Sequence, residues 1–150
     1  RYGDKGVAFL GKSGTGKSTH SRLWLAHIDG TELVNDDNPI LRWEEDGVYL
    51  YGSPWSGKTP CYKNMRVKLS AIIRLSQAPE NRMEPLTLLQ AYGSLLSSSS
   101  CLRWERRQAD GVHQTVEQVI QCCPSYHLAC LPDKEAVQVV IDTYLSEKLC

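Results

Sequence analysis

The sequence predicts an α/β fold in which helices flank a mixed sheet. Apolar segments with strand character alternate with segments of helical spacing along the 150 residues. The first pair is a short apolar strand over residues 6–10 and a helix over residues 18–27, which contains no Gly or Pro. Next, segments 40–44 and 48–51 flank an Asp-Gly turn, which is typical of an antiparallel hairpin. A hairpin beside strand–helix units makes the sheet mixed.

The remaining elements follow from the same criteria of periodicity and chain breakers. Before the hairpin, residues 31–34 are predicted to form a short strand. After it, the pattern predicts a strand over 69–75, a helix from Pro85 to the serine run at 97–100, a helix over 112–122, a strand over 126–131, and a last helix from about Lys134.

Length and composition indicate one ordinary domain. The chain is 41% hydrophobic, enough for one core, and its 17 basic and 17 acidic side chains cancel. This balance gives no reason to expect nucleic acid or a membrane as a partner, and no apolar run approaches the ~20 residues of a membrane span.

We expect a cytoplasmic protein and leave a homo-oligomer open. Because the first residue is Arg1 and a strand begins soon after it, we also expect upstream sequence to be missing.

A glycine-rich motif is the strongest functional signal. Residues 11–18 fit the phosphate-binding pattern G-x-x-x-x-G-K-[ST], between a predicted strand and a predicted helix. This order places backbone N–H groups and the helix dipole at the phosphates of a nucleoside triphosphate. The alternative is a plain Gly/Ser turn. The motif predicts a P-loop nucleotide-binding domain that holds ATP through Gly11, Ser13, Gly14, Thr15, Gly16, Lys17, Ser18 and Thr19.

Within this motif two side chains have distinct expected roles. Lys17 is predicted to reach the β- and γ-phosphates, where its charge also serves catalysis. The hydroxyl of Ser18 is predicted to bind the Mg²⁺ ion that bridges those phosphates.

A pair of acids forms a second candidate group. Asp36 and Asp37 follow the apolar Leu33-Val34, nineteen residues after Lys17. One carboxylate suits the metal and the other suits the proton of an acceptor hydroxyl. The alternative is an Asx-type turn or a helix cap before Pro39.

A basic segment follows the hairpin. Lys58, Lys63, Arg66 and Lys68 lie within eleven residues that contain no Asp or Glu, which fits either a solvated face or a grip on phosphate. Lys58 belongs to a loop rich in Gly, Pro and Ser over residues 52–60. It is a candidate catalytic residue that closes over the γ-phosphate or the acceptor. The alternative is that Lys58 is an ordinary surface lysine.

The loop sequence G-K-S-G-T-G-K-S together with L-V-N-D-D resembles the bacterial HPr kinase/phosphorylase family, which shares a superfamily pattern with the ATP-dependent phosphoenolpyruvate carboxykinases. The resemblance covers roughly residues 6–75. It implies a mixed-sheet P-loop kinase in which Asp36 handles the proton and Asp37 binds the metal. Three features depart from the family pattern. Residues 1–10 lack the upstream histidine common in the family, which fits a truncated N-terminus, and Thr19 stands where HPr kinases often have Glu. The loop G-S-P-W-S-G-K over residues 52–58 is outside the HPr kinase signature and resembles uncharacterised small relatives of that family, so a protein substrate is not implied.

The function predicted on these grounds is transfer of the γ-phosphoryl group of ATP to a hydroxyl of a small molecule or of a protein serine, with Mg²⁺ as the metal. A nucleotide-binding sensor module and a plain NTPase without an acceptor are the alternatives. Carboxykinase activity is less favoured, because those enzymes are far longer and need further ligands for substrate and metal.

Overall fold

The computed structural model of the chain describes residues 1–102 and 104–145. In these residues one six-stranded sheet is combined with four α-helices and a π-helical turn. None of the described helices is long and apolar enough to cross a bilayer. In chain order the elements are β1 (Lys5–Leu10), α1 (Lys17–His27), β2 (Ile40–Glu44), β3 (Gly47–Tyr51), β4 (Arg66–Gln77), β5 (Arg82–Pro85), α2 (Leu88–Ser98), α3 (Arg106–Cys122), β6 (Ser125–Cys130), α4 (Lys134–Val140) and the π-helical turn (Ile141–Leu145).

Strand β4 is the centre of the sheet. It pairs in parallel with β1 and with β6, and antiparallel with β3. Because β1 and β6 both pair with its segment 72–74, they lie on its opposite edges. The antiparallel strands β2 and β5 pair with β3 and β6 respectively. The sheet is therefore mixed and open, as the sequence predicts.

Helices cover both faces of this sheet. Ile72 and Ile73 are successive residues of β4 and point to opposite faces. Ile72 packs in a core with Leu95 of α2 and Val116 of α3. Ile73 packs in a second core with Trp24 of α1 and residues 137 and 140 of α4. Helices α2 and α3 thus cover one face, and α1 and α4 cover the other.

Three predicted elements differ from the structure. Residues 31–34 do not form a strand: Thr31 makes a single bridge to Tyr2, and the carbonyls of residues 33 and 34 face the thiol of Cys61 instead of a neighbouring strand. Pro85 ends strand β5 and does not begin a helix, because residues 82–85 pair with β6. Helix α3 begins at Arg106, where Glu105 caps it, and not near residue 112.

Candidate functional site

The motif at residues 11–18, here called the glycine-rich loop, connects β1 to α1. Gly14 and Gly16 have φ values of 85° and 99°, in the left-handed region that favours glycine. Gly16 is also the N-cap of α1, so no side chain accepts a hydrogen bond from the first N–H groups of the helix. Such N–H groups, together with the helix dipole, can bind an anion.

Lys17 folds back over the glycine-rich loop. Its Nζ donates to the carbonyl oxygens of Gly11 at 2.7 Å and of Lys12 at 3.1 Å. An ammonium group has three N–H donors, so one remains for a phosphate oxygen. Thr15 Oγ1 donates to the same carbonyl of Lys12 at 2.8 Å, and a Cβ added at Gly11 would lie 2.4 Å from that hydroxyl. A close-packed set of contacts therefore fixes the loop around its lysine.

The acidic segment is organised by Asn35. Its Oδ1 accepts hydrogen bonds from the backbone N–H groups of Asp37 at 2.9 Å and Asn38 at 2.7 Å. Its Nδ2 donates to the carbonyl of Trp55 at 2.9 Å and to Ser53 Oγ at 3.1 Å. The Asx-type turn considered from the sequence is therefore present, and it ties the two acids to the loop over residues 52–60.

That loop also contacts the first acid directly. The backbone N–H of Thr59 donates to Asp36 Oδ2 at 3.0 Å. A Cβ added at Gly57 would lie 2.6 Å from the same oxygen, so the backbone approaches the carboxylate as closely as a glycine allows. Asp37 is more exposed, and its Oδ2 accepts from Asn38 Nδ2 at 2.9 Å.

One cavity brings the loop and the acids together. It has a volume of about 1280 Å³, and its wall includes Gly11, Lys12 and Lys17 of the eight-residue glycine-rich loop, together with Asp36 and Asp37. Small-molecule sites in proteins occupy roughly 300–1,000 Å³, so the cavity is larger than a typical site for one small molecule.

Other predicted site residues lie outside the wall of this cavity. Ser18 is half-buried in the first turn of α1, while Ser13 and Thr19 are exposed. Lys58 is exposed and is not among the described residues of the cavity wall, so its closing role stays a prediction.

The other three cations of the basic segment are paired with acids. Lys63 contacts Glu32 at 2.7 Å, Arg66 contacts Glu44 at 2.6 Å, and Lys68 contacts Asp46 at 3.3 Å. The sequence allowed two interpretations of this segment, a solvated surface face or a phosphate-binding one. The solvated face fits these three residues, because each is already paired with an acid.

A buried histidine lies in the helix that follows the glycine-rich loop. His20, in the second turn of α1, is 3% exposed, and burial lowers its pKa to about 4. Its Nε2 accepts a hydrogen bond of 3.1 Å from Trp24 Nε1, and its ring stands edge-on to Phe9 at 4.8 Å. The imidazole is therefore neutral at pH 7, with its proton on Nδ1.

Sequence reasoning missed three polar residues around this site. Asn35 holds the acidic turn, Gln77 at the end of β4 donates to the carbonyl of Gly14 at 3.1 Å, and Arg74 of β4 lines the cavity. Only Asn35 carried a local signal, since Asn two residues before an N–H donor is typical of an Asx turn.

Comparison with protein-family models, with curated proteins and with solved structures gives no match for this chain.

Proposed function

We propose that this protein is an ATP-dependent kinase that transfers the γ-phosphoryl group of ATP to a hydroxyl. The observation that carries the proposal is the shared cavity, whose wall combines Lys17 of the glycine-rich loop with the carboxylates of Asp36 and Asp37. Phosphoryl transfer requires positive groups at the phosphates and a residue that orients or deprotonates the acceptor. Both kinds of group face the same space.

The nucleotide phosphates would bind in the glycine-rich loop. The N–H groups at the start of α1 and the third N–H of Lys17 are the donors that this site offers to phosphate oxygens. The candidate ligands for Mg²⁺ are the hydroxyl of Ser18, at the start of α1 and outside the cavity wall, and the exposed carboxylate of Asp37; both offer oxygen, the ligand type that this ion prefers. When bound, Mg²⁺ neutralises charge on the phosphates.

Asp36 would act on the acceptor. Its Oδ2 already accepts a hydrogen bond from Thr59, which fixes the direction of the carboxylate. In the transfer step Asp36 takes the proton of the acceptor hydroxyl, and the hydroxyl oxygen bonds to the γ-phosphorus. The bond from that phosphorus to the bridging oxygen breaks, so that ADP leaves.

Two variants test these roles separately. Lys17→Ala removes a donor to the phosphates, so we expect ATP binding and transfer both to be lost. Asp36→Asn keeps an oxygen that can accept from Thr59 N–H but removes the base, so we expect binding to persist and transfer to fall by about 100-fold or more. Lys134→Ala is the matched control, because Lys134 is an exposed lysine at the start of α4, outside the cavity wall, and its removal should change neither binding nor transfer.

The measurement combines ATP binding by calorimetry with γ-labelled ATP and a panel of hydroxyl acceptors. Label on an acceptor in wild type, lost in Asp36→Asn, supports the kinase. Release of labelled phosphate without an acceptor would make the protein a plain NTPase. Binding without turnover would make it a nucleotide sensor, and full transfer by Asp36→Asn would overturn the role of this acid.

A further inference from the structure

Arg74 brings a further cation to the cavity. In the register between β1 and β4 it is the partner of Leu10, the residue directly before the glycine-rich loop. Its side chain lines the same cavity as Lys17 and Asp36. Being two residues from Ile72 on β4, it points to the sheet face that α2 and α3 cover.

A buried serine orients the guanidinium of Arg74. Its Nη1 donates to Ser94 Oγ at 3.2 Å, and Ser94 is 4% exposed. The hydroxyl of Ser94 in turn donates to the carbonyl of Gln90 at 2.7 Å, so its lone pairs are directed away from that carbonyl. Within residues 1–102 and 104–145, no carboxylate forms an ion pair with Arg74, whereas Arg66 and Arg82 each have one. Arg74 thus presents an oriented cation whose remaining N–H donors can bind an anion.

The neighbouring polar groups of the wall do not compete for that role. The hydroxyls of Ser97 and Ser98 donate to the carbonyl of Ser94, and the hydroxyl of Thr115 donates to the carbonyl of Gly111. These O–H groups are therefore already engaged with helix carbonyls. In this part of the cavity Arg74 supplies the positively charged donor.

The position of Arg74 favours the acceptor over the nucleotide. Helix α1, which begins at the glycine-rich loop, packs on the opposite sheet face through Trp24. Val34, two residues before Asp36, belongs to the same core as Ile72 and thus lies on the face of Arg74. Arg74 and the segment that leads to the acids therefore pack on the same sheet face, whereas helix α1 packs on the other.

We propose that Arg74 binds an anionic group of the phosphoryl acceptor, which makes the acceptor a small hydroxyl compound with a phosphate or carboxylate substituent. This inference rests on the proposed kinase function. A guanidinium binds both oxyanions through paired N–H donors, so the two substituents share one chemistry.

A first experiment tests the anion site without turnover. Inorganic phosphate is titrated at low salt into Lys17→Ala, in which the loop site is impaired, and into Lys17→Ala combined with Arg74→Gln. We expect the second substitution to weaken phosphate binding by about tenfold or more. Arg82→Gln, which removes an arginine outside the cavity, is the matched control and should change nothing. Equal phosphate binding with and without Arg74 would overturn the proposal.

A second experiment assigns the anion to the acceptor. Hydroxyl compounds are supplied in pairs, with and without a phosphate or carboxylate group, together with γ-labelled ATP. We expect transfer to the anionic members, and we expect Arg74→Gln to raise their KM by about 10- to 100-fold while the KM for ATP stays unchanged. Arg74→Lys keeps the charge without the planar fork of the guanidinium, so its KM for the anionic acceptors should lie between those of wild type and Arg74→Gln.

Two outcomes separate this proposal from the kinase proposal. If Arg74→Gln raises the KM for ATP and leaves that for the acceptor unchanged, Arg74 binds the nucleotide and the acceptor assignment is wrong. If phosphate binding depends on Arg74 but no acceptor is ever labelled, the anion site is supported, whereas the kinase function and the acceptor assignment both fail.

Discussion

The backbone N–H of Thr59 donates a 3.0 Å hydrogen bond to Oδ2 of Asp36, and this contact joins two segments 23 residues apart. The hydroxyl of Thr59 also accepts a 3.3 Å hydrogen bond from Arg22 Nη2 of α1, the helix that begins at the glycine-rich loop. The 52–60 loop therefore links the acid proposed for proton transfer to the helix proposed for phosphate binding. This relationship makes the loop a positioning element for both.

We predict that Gly57→Ala lowers kcat by a larger factor than it lowers ATP affinity. The added Cβ would lie 2.6 Å from Asp36 Oδ2 and 3.1 Å from Asp37 Cβ, so the acids or the loop must shift. A displacement of about 1 Å at a reacting group can cost roughly 100-fold in rate, and we expect a loss of about 10- to 100-fold. Steady-state transfer assays and ATP calorimetry measure the two effects.

Gly93→Ala is the matched control, because a Cβ at this position of α2 meets nothing within 4 Å. It should leave kcat unchanged and stabilise the fold by about 0.5–1 kcal/mol, since alanine favours a helix over glycine. An unchanged kcat in Gly57→Ala would show that the close approach of the loop does not position Asp36.

A second prediction concerns Asn35. Asn35→Ala removes the acceptor of the backbone N–H groups of Asp37 and Asn38, and it removes the Nδ2 donor that joins the acidic turn to residues 53 and 55. The two backbone N–H donors belong to exposed residues and can bind water instead, so we expect a moderate fall of about 1–2 kcal/mol in the free energy of unfolding. Urea denaturation followed by Trp fluorescence measures it.

Asn64→Ala provides the comparison, since Asn64 is exposed and its removal should cost less than about 0.5 kcal/mol. Asn35→Asp keeps the acceptor oxygen but places a second oxygen against the carbonyl of Trp55, so it should also destabilise the protein. Full stability of Asn35→Ala would mean that the turn holds its shape without this side chain.

Local patterns predicted most of the fold. The hairpin of β2 and β3 and the helices α1 and α4 were foreseen, because apolar spacing and turn residues act within a few positions of the chain. Strand β5 was not foreseen, because residues 82–85 contain charged side chains and a proline and become a strand only through pairing with β6. Proline is tolerated there because β5 is an edge strand.

The candidate site also combines features that local sequence predicts with features that depend on distant segments. The turn chemistry of Gly14 and Gly16 is local, and the left-handed φ values agree with what the motif predicts. The contact of Thr59 with Asp36 and the position of Arg74 beside Leu10 depend on segments distant in sequence. A single sequence carries no signal for such pairs, so these contacts emerged only from the structure.

A third prediction tests the true start of α2. Thr87 is its N-cap: the Thr87 Oγ1 accepts from Gln90 N at 3.3 Å, and Gln90 Oε1 accepts from Thr87 N at 3.0 Å. Thr87→Ala removes one half of this capping box, and we expect a loss of about 1 kcal/mol, or about 2–4 °C in Tm. Thr87→Ser keeps the hydroxyl and should behave like wild type; an equal loss in both variants would argue against capping as the cause.

A fourth prediction concerns acid stability and His20. Burial lowers the pKa of this imidazole to about 4 from an unfolded value of 6.5, so the folded state favours the neutral form. Between these two values the unfolded state binds more protons than the folded state, and stability therefore decreases as the pH falls. The contribution is fully present above pH 6.5, and about 2 kcal/mol of it is lost by pH 5.

The test is urea denaturation at pH 7 and pH 5 for wild type and His20→Gln. The variant loses ring packing against Phe9 and is less stable at both pH values, but it should lose about 2 kcal/mol less than wild type between them. His27→Gln, at the end of the same helix, should keep the acid-dependent loss, because His20 is still present. Equal losses in wild type and His20→Gln would place the acid-sensitive group elsewhere. Most carboxylates protonate at about pH 4, so the pH 7 to pH 5 window records the first part of the change at His20 before they contribute strongly.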